Sequence, residues 1–167
     1  RARKRSLYEG GIRSPLLVRW PGRVKAGATD ENSVIGAVDF LPTICSLASV
    51  KPPGTVTLDG EDVSDILLGK SRPRRGPLFW EWRFPVTGGG DYAPPRFAIR
   101  DGDLKLFTNS DRSRVELFNI PRDPEERANI AAEHPQVVDR LADSALTWGK
   151  SLPPDPAGEP VKKKQGT

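Results

Sequence analysis

The sequence predicts a mixed α/β chain that ends in a small antiparallel sheet packed by a C-terminal helix. Three observations carry that expectation. Asp101-Gly102 separates the apolar runs Phe97-Ala98-Ile99 and Leu104-Lys105-Leu106, the pattern of a hairpin closed by a two-residue loop. Val138, Leu141, Ala145 and Trp148 recur at steps of three and four, which sets one apolar stripe on a helix opened by Pro135 and stopped by Gly149. Seventeen prolines and 16 glycines in 167 residues imply many turns, which does not suit a helical bundle.

Taken in order, the chain opens with Lys4, then Tyr8-Glu9 and Gly10-Gly11, glycines that let the backbone turn or approach something closely. Pro15 to Trp20, centred on Leu16-Leu17-Val18, reads as a buried strand closed by the turn pair Pro21-Gly22. Arg23 to Asn32 is a polar connection, and Ser33 to Val38 is small, apolar and expected near the core. Asp39 is expected to cap a helix whose Phe40, Leu41, Ile44, Leu47 and Ala48 recur at helical spacing. Pro42 falls in its first turn, where no intrahelical donor is lost, and Lys51-Pro52-Pro53-Gly54 stops it. Ile66-Leu67-Leu68-Gly69 is a short apolar turn.

Lys70 to Gly76, basic and proline-bearing, is the expected boundary between two packing units. Pro77 to Trp82 reads as a strand, and Gly88-Gly89-Gly90 as a flexible insertion. In the hairpin, a loop of Asp101 and Gly102 would set Arg100 opposite Asp103, Ile99 opposite Leu104 and Phe97 opposite Leu106. Val115 to Phe118 adds a strand, and Asp123-Pro124-Glu125-Glu126 a short helical turn or capped loop. From Pro153 onward the composition is proline, charge and glycine, the signature of disorder. The expected divisions are 1–71, 72–152 and 153–167.

Composition narrows the function classes. The chain has no methionine and 36% hydrophobic residues, low for a self-sufficient core, and both features are expected of a fragment. Net charge is +4, with basic runs at Arg1 to Arg5, at Lys70 to Arg75 and at Lys162-Lys163-Lys164. No recognised nucleic-acid module accompanies these runs, so nucleic acid is not the expected partner. A positive rim suits steering of an anionic substrate. A single cysteine excludes an internal disulfide and any multi-cysteine metal site in this chain. No apolar run reaches the roughly 18 residues of a membrane span.

Four candidate sites stand out by residue type. Lys4, just ahead of the glycine pair, can hold an anion, because an ammonium is a compact point-charge donor. Asp59, Glu61, Asp62 and Asp65 cluster, but their spacing lacks the fixed glycine and closing glutamate of an EF-hand loop, so a solvated acidic turn is expected. Cys45 lies on or beside an apolar stripe with no histidine near it, the setting of a buried, unactivated thiol. His134 precedes Pro135 at a helix entrance, where capping or surface packing is expected.

Lys4 with Tyr8-Glu9-Gly10-Gly11-Ile12-Arg13, then Pro15 to Gly22, resembles the late signature of the formylglycine-dependent, type I sulfatases, of the arylsulfatase and N-acetylgalactosamine-6-sulfatase kind. The similarity continues in order through Asp39-Phe40-Leu41-Pro42-Thr43, Leu58-Asp59-Gly60, Ile99 to Leu106, Glu116 to Asn119, and Asp123 to Glu126 before Asn129-Ile130-Ala131. The resemblance implies that residues 1–71 complete an alkaline-phosphatase-like α/β domain, and that the sheet with its helix is the family's small C-terminal subdomain. It implies that Lys4 contacts the sulfate of a sulfated small molecule or carbohydrate, with Arg13 bracing the loop through Glu9 or a backbone carbonyl. Calcium and formylglycine are implied as cofactors, but on upstream residues: Cys45-Ser46-Leu47-Ala48-Ser49 does not match the family's Cys-x-Pro-Ser-Arg. The missing N-terminal catalytic segment is therefore an expected partner, no catalytic or metal-ligating residue is expected within this chain, and the chain alone is expected to be inactive. A secreted, periplasmic or lysosomal location goes with the resemblance. The residues also fit a phosphatase or phosphodiesterase of the same superfamily, or a non-catalytic binding or structural module.

Overall fold

The computed structural model describes residues 2, 4, 6–55, 57–83 and 94–153. The Gly88–Gly90 insertion, the tail from residue 154, and Arg1, Arg3 and Arg5 lie outside the described residues. The chain divides into two compact units, one of residues 1–12, 79–99 and 105–167, the other of residues 13–78 and 100–104.

The sheet of the first unit has four strands in sequence order, β1 (Leu78–Glu81), β2 (Phe97–Asp101), β3 (Leu104–Thr108) and β4 (Glu116–Asn119). Successive neighbours make it an antiparallel meander, as the pattern predicted. The hairpin differs in one detail. The strands run to Asp101 and resume at Leu104, so the loop is Gly102-Asp103 rather than Asp101-Gly102. The reason is conformational: Gly102 takes φ +58°, while Asp103 is not among the residues with positive φ, and a type II′ loop wants its glycine first. The one-residue shift moves cross-strand partners by two positions, so the faces are unchanged. Arg100 Nε–H donates to the Gly102 carbonyl at 3.2 Å.

Both faces of the sheet are covered. On one lies the long helix α4 (Pro135–Ser151), which buries Leu141, Ala142 and Ala145. Trp148 stacks on Phe79 with ring centroids 5.2 Å apart, and a Cβ at Gly149 would come within 2.7 Å of the Phe97 ring. The opposite face carries Trp80, Ala98, Phe107 and Phe118, packed with Leu7, Tyr8 and Ile120. Truncating one of those phenylalanines to alanine would cost about 3–5 kcal/mol. The stripe of α4 was legible in the sequence; the N-terminal cover on the second face was not.

The second unit holds a 3-10 turn (Ala37–Asp39), α2 (Phe40–Leu47) and α3 (Ser64–Leu67). Asp39 stands at the N-cap of α2, but its carboxylate does not cap it. Instead it accepts from Gly36 N–H at 2.7 Å and Glu61 N–H at 2.9 Å, and pairs with both terminal nitrogens of Arg74. Gly60 explains itself by close approach: a Cβ there would lie 2.0 Å from the Val38 carbonyl oxygen. Arg72 reaches Asp65 at 2.8 Å and Glu61 at 3.0 Å. The basic stretch from Lys70 is thus tied by its arginines to the acidic turn, which keeps residues 72–78 with this unit although composition changes at residue 70.

Two expectations for this unit fail. Pro15 to Trp20 forms no strand and lies exposed, with Leu17 91% accessible. Pro15 offers no N–H to a ladder, and the segment is in none of the four strands of the sheet. On α2 the buried side chains are Thr43, whose hydroxyl oxygen accepts from Val63 N–H at 3.0 Å, and Cys45. The stripe Phe40, Leu41 and Ile44 points to solvent.

Candidate functional site

The site is built on Lys4, residues 6–12 and the sheet face on which Leu7 and Tyr8 pack. Lys4 is exposed in a turn. Two residues later the chain goes under: Ser6, Leu7, Tyr8 and Glu9 are all buried. Tyr8 O–H donates to the Glu116 carboxylate at 2.9 Å, and its ring packs on Phe107 with centroids 4.6 Å apart. After Tyr8 the backbone makes one helical turn, α1 (Glu9–Ile12), in which Gly11 N–H donates to the Tyr8 carbonyl at 2.7 Å. The glycine pair therefore sits inside a turn of helix, where the expected freedom to bend is used to start it.

Glu9 is held at both ends by charged groups. Its Oε1 accepts from the ammonium of Lys105 at 2.7 Å, and its backbone N–H donates to Glu126 Oε2 at 2.7 Å. Lys105, on β3, is fully buried, with its Nζ 5.0 Å from the centroid of Phe107 and 5.7 Å from that of Trp80. Glu126 Oε1 lies 3.1 Å from the same Nζ, an ion pair without the alignment of a hydrogen bond. Burial pushes the Glu126 carboxyl above its ordinary value, and the nearby Lys105 charge and the Glu9 N–H offset this only in part. Glu126 is delivered by a tight turn in which Asp123 accepts from Arg127 N–H and Ala128 N–H, and Glu126 itself takes φ +55°. The capped loop expected at Asp123 is this turn.

The other sequence candidates fall elsewhere. The Glu9 carboxylate, one of the two contacts expected of Arg13, is taken by Lys105, and Arg13 is exposed. Cys45 is buried and free, and His134 is exposed at the N-cap of α4 without a side-chain capping bond. In the acidic turn, Glu61 and Asp65 are bound by Arg72. Glu126 escaped sequence reasoning because it sits in a polar stretch, and Lys105 because its partners are distant in sequence. A charged residue inside the apolar strand run Leu104 to Phe107 was the available signal.

A family model described as N-sulphoglucosamine sulphohydrolase, C-terminal, matches residues 2–147. Arylsulfatase A of Homo sapiens is 32% identical over 185 aligned residues, covering 90% of this chain and 35% of that protein. A solved structure from work on glycosaminoglycan metabolism by Bacteroides thetaiotaomicron has a TM-score of 0.70 at 24% identity, covering 88% of this chain and 31% of that one. A second solved structure, in complex with its substrate D-glucosamine-2-N,6-O-disulfate, has a TM-score of 0.55 at 26% identity, covering 79% of this chain and 27% of the other. The chain spans about a third of the length of the curated relatives it matches.

Proposed function

This chain belongs to the sulfatase family, and we propose that it serves a sulfuric ester hydrolase as its C-terminal part, with Lys4 contacting the sulfate of the substrate. The observation that carries the proposal is the contrast within residues 4–9. An exposed lysine stands two residues ahead of a segment that is buried at Ser6, Leu7, Tyr8 and Glu9. Such an arrangement presents a cation to an anionic ligand without letting its backbone drift.

The chemistry assigned to Lys4 is electrostatic. When the sulfur–oxygen bond to the leaving alcohol lengthens, negative charge on the sulfuryl oxygens and the departing oxygen is redistributed. A preorganised ammonium neutralises part of it, and such donors count most where charge builds. The described residues do not fit calcium or formylglycine. Among the described residues no three histidine, cysteine, aspartate or glutamate side chains gather as a metal site, and Cys45 is a buried thiol on α2. Both groups are assigned to the part of the enzyme that lies outside this segment, and this segment alone is assigned no turnover.

A sulfated carbohydrate is the favoured substrate class, supported by the disulfated glucosamine in the related structure. The exposed apolar residues Leu16, Leu17, Val18, Phe40, Leu41 and Ile44 are assigned to packing against the rest of the α/β domain. Among the described residues no helix is long and apolar enough to cross a membrane.

The test is kinetic, on the complete enzyme. Lys4→Ala is expected to lower kcat/KM on the order of 10²-fold, the loss seen when one preorganised donor is removed. The melting temperature should hardly move, because an exposed lysine makes few packing contacts. Lys4→Arg should rescue only partly, since a planar fork does not replace a point charge. Near-normal turnover by Lys4→Ala would remove Lys4 from the active site.

A further inference from the structure

We propose that Lys105 is a positioning residue: through Glu9 and Glu126 it fixes the segment from which Lys4 projects. The inference rests on the reading of Lys4 as the sulfate contact. It begins from a placement that stability does not explain. A lysine at the centre of a sheet, with Phe107 and Trp80 around its ammonium, occupies a site that methionine or leucine would fill. Replacing buried ion pairs by apolar side chains of similar volume is often neutral or stabilising. Here, moreover, one buried cation faces two buried carboxyl groups.

What the network supplies is direction. Lys105 grips the side chain of Glu9 at 2.7 Å, and Glu126 grips the backbone of the same residue at 2.7 Å. A single residue held at two points cannot rotate about its own backbone without breaking one of the bonds. Glu116 does the same for the neighbouring Tyr8 through its hydroxyl. An apolar contact would tolerate sliding of about an ångström; these bonds, with defined donors and acceptors, do not. From buried Ser6 to Lys4 is two residues, at most about 7 Å of extended chain. The reach of Lys4 is therefore bounded by buried Ser6, and the segment behind it is held at Tyr8 and Glu9.

Position rather than contact is the role, since Lys105 is sealed from solvent and cannot touch a substrate. The experiment is a double-mutant cycle in the complete enzyme, reading kcat/KM for a chromogenic aryl sulfate, with a thermal melt of each variant. The four proteins are wild type, Lys4→Ala, Lys105→Met and the double variant. Lys105→Met is expected to lose about 10-fold or more when Lys4 is present, the scale of a small misplacement. In the Lys4→Ala background it should lose nothing further. Equal losses in both backgrounds would show that Lys105 acts on the fold at large and would overturn the proposal. A silent Lys4→Ala would instead strike the reading of Lys4, and an inactive wild type the activity itself. Should Lys105→Met fail to fold, Glu9→Gln keeps the backbone bond to Glu126 and must show the same dependence on Lys4. If Lys105→Met and Glu9→Gln both lose their melting transition, the network is structural and the proposal falls.

Discussion

At the scale of single residues, the buried carboxyl of Glu126 gives the clearest pH signature. Its ionisation is displaced upward because burial penalises the charged form more than Lys105 and the Glu9 N–H repay it. The sign follows from linkage. A carboxyl whose folded value lies above its unfolded one contributes stability that is whole below the unfolded value, near 4.5, and is lost as pH rises through the folded value. Glu126→Gln cannot ionise, so it escapes that loss. The melting temperature of the variant minus that of wild type is therefore expected to grow more positive between pH 4 and pH 8. A difference that is flat or shrinks over this range would mean that Glu126 titrates normally. Asp39 behaves oppositely. Burial alone would raise it, but Arg74 and the N–H groups of Gly36 and Glu61 hold it below the usual carboxylate value, so its contribution is present above the unfolded value and lost as pH falls through the folded one. Lys4 was singled out in the sequence by its place in a signature segment. Lys105 and Glu126 were not, since their meaning lies in contacts 96 residues apart for Lys105 and Glu9, and 117 for Glu126 and Glu9.

At the scale of elements, the sequence was most reliable where local chemistry and packing agree. The helix from Pro135 and the strands at 78–81 and 116–119 follow from their patterns. The hairpin was placed one residue off because Asp-Gly fits either loop position by composition, and only the backbone twist of the flanking strands selects among them. Glycine at 102 is required in both versions. Gly102→Val is expected to destabilise the hairpin by about 1 kcal/mol or more, because a β-branched residue resists positive φ. Nothing lies within 4 Å of the site a Cβ would take, so the cost is conformational, and Gly102→Asn, which tolerates that region, should recover much of it. An unchanged denaturation midpoint for the valine variant would refute the turn. Gly60 poses the contrasting case. There the obstacle is a backbone carbonyl 2.0 Å away, so Gly60→Ala should be more destabilising than Gly102→Ala, as read by chemical denaturation of each variant. Equal midpoints would show that Val38 yields freely.

At the scale of the whole molecule, the apolar residues left in solvent mark where a sequence pattern ran ahead of the chain that displays it. Leu16-Leu17-Val18 reads as a buried strand and the Phe40, Leu41, Ile44 stripe as a buried helix face, and the physical basis of both readings is sound. Both leave large apolar side chains exposed, and the chain accounts for about a third of its curated relatives. On the proposed reading, both segments are covered by the remainder of the sulfatase α/β domain. The backbone is the sharpest reporter, because a strand is protected by ladder hydrogen bonds that an exposed segment lacks. Amide exchange across residues 16–20 is therefore expected to be fast in this chain by itself and slower by about 10²-fold or more in the complete enzyme, the change that pairing into a stable sheet brings. Residues 105–107, inside the sheet and already buried, should be slow in both and serve as the internal reference. Exchange at 16–20 that stays as fast in the complete enzyme would leave Leu17 solvent-exposed there too, and the assignment of this segment to the domain interior would be lost.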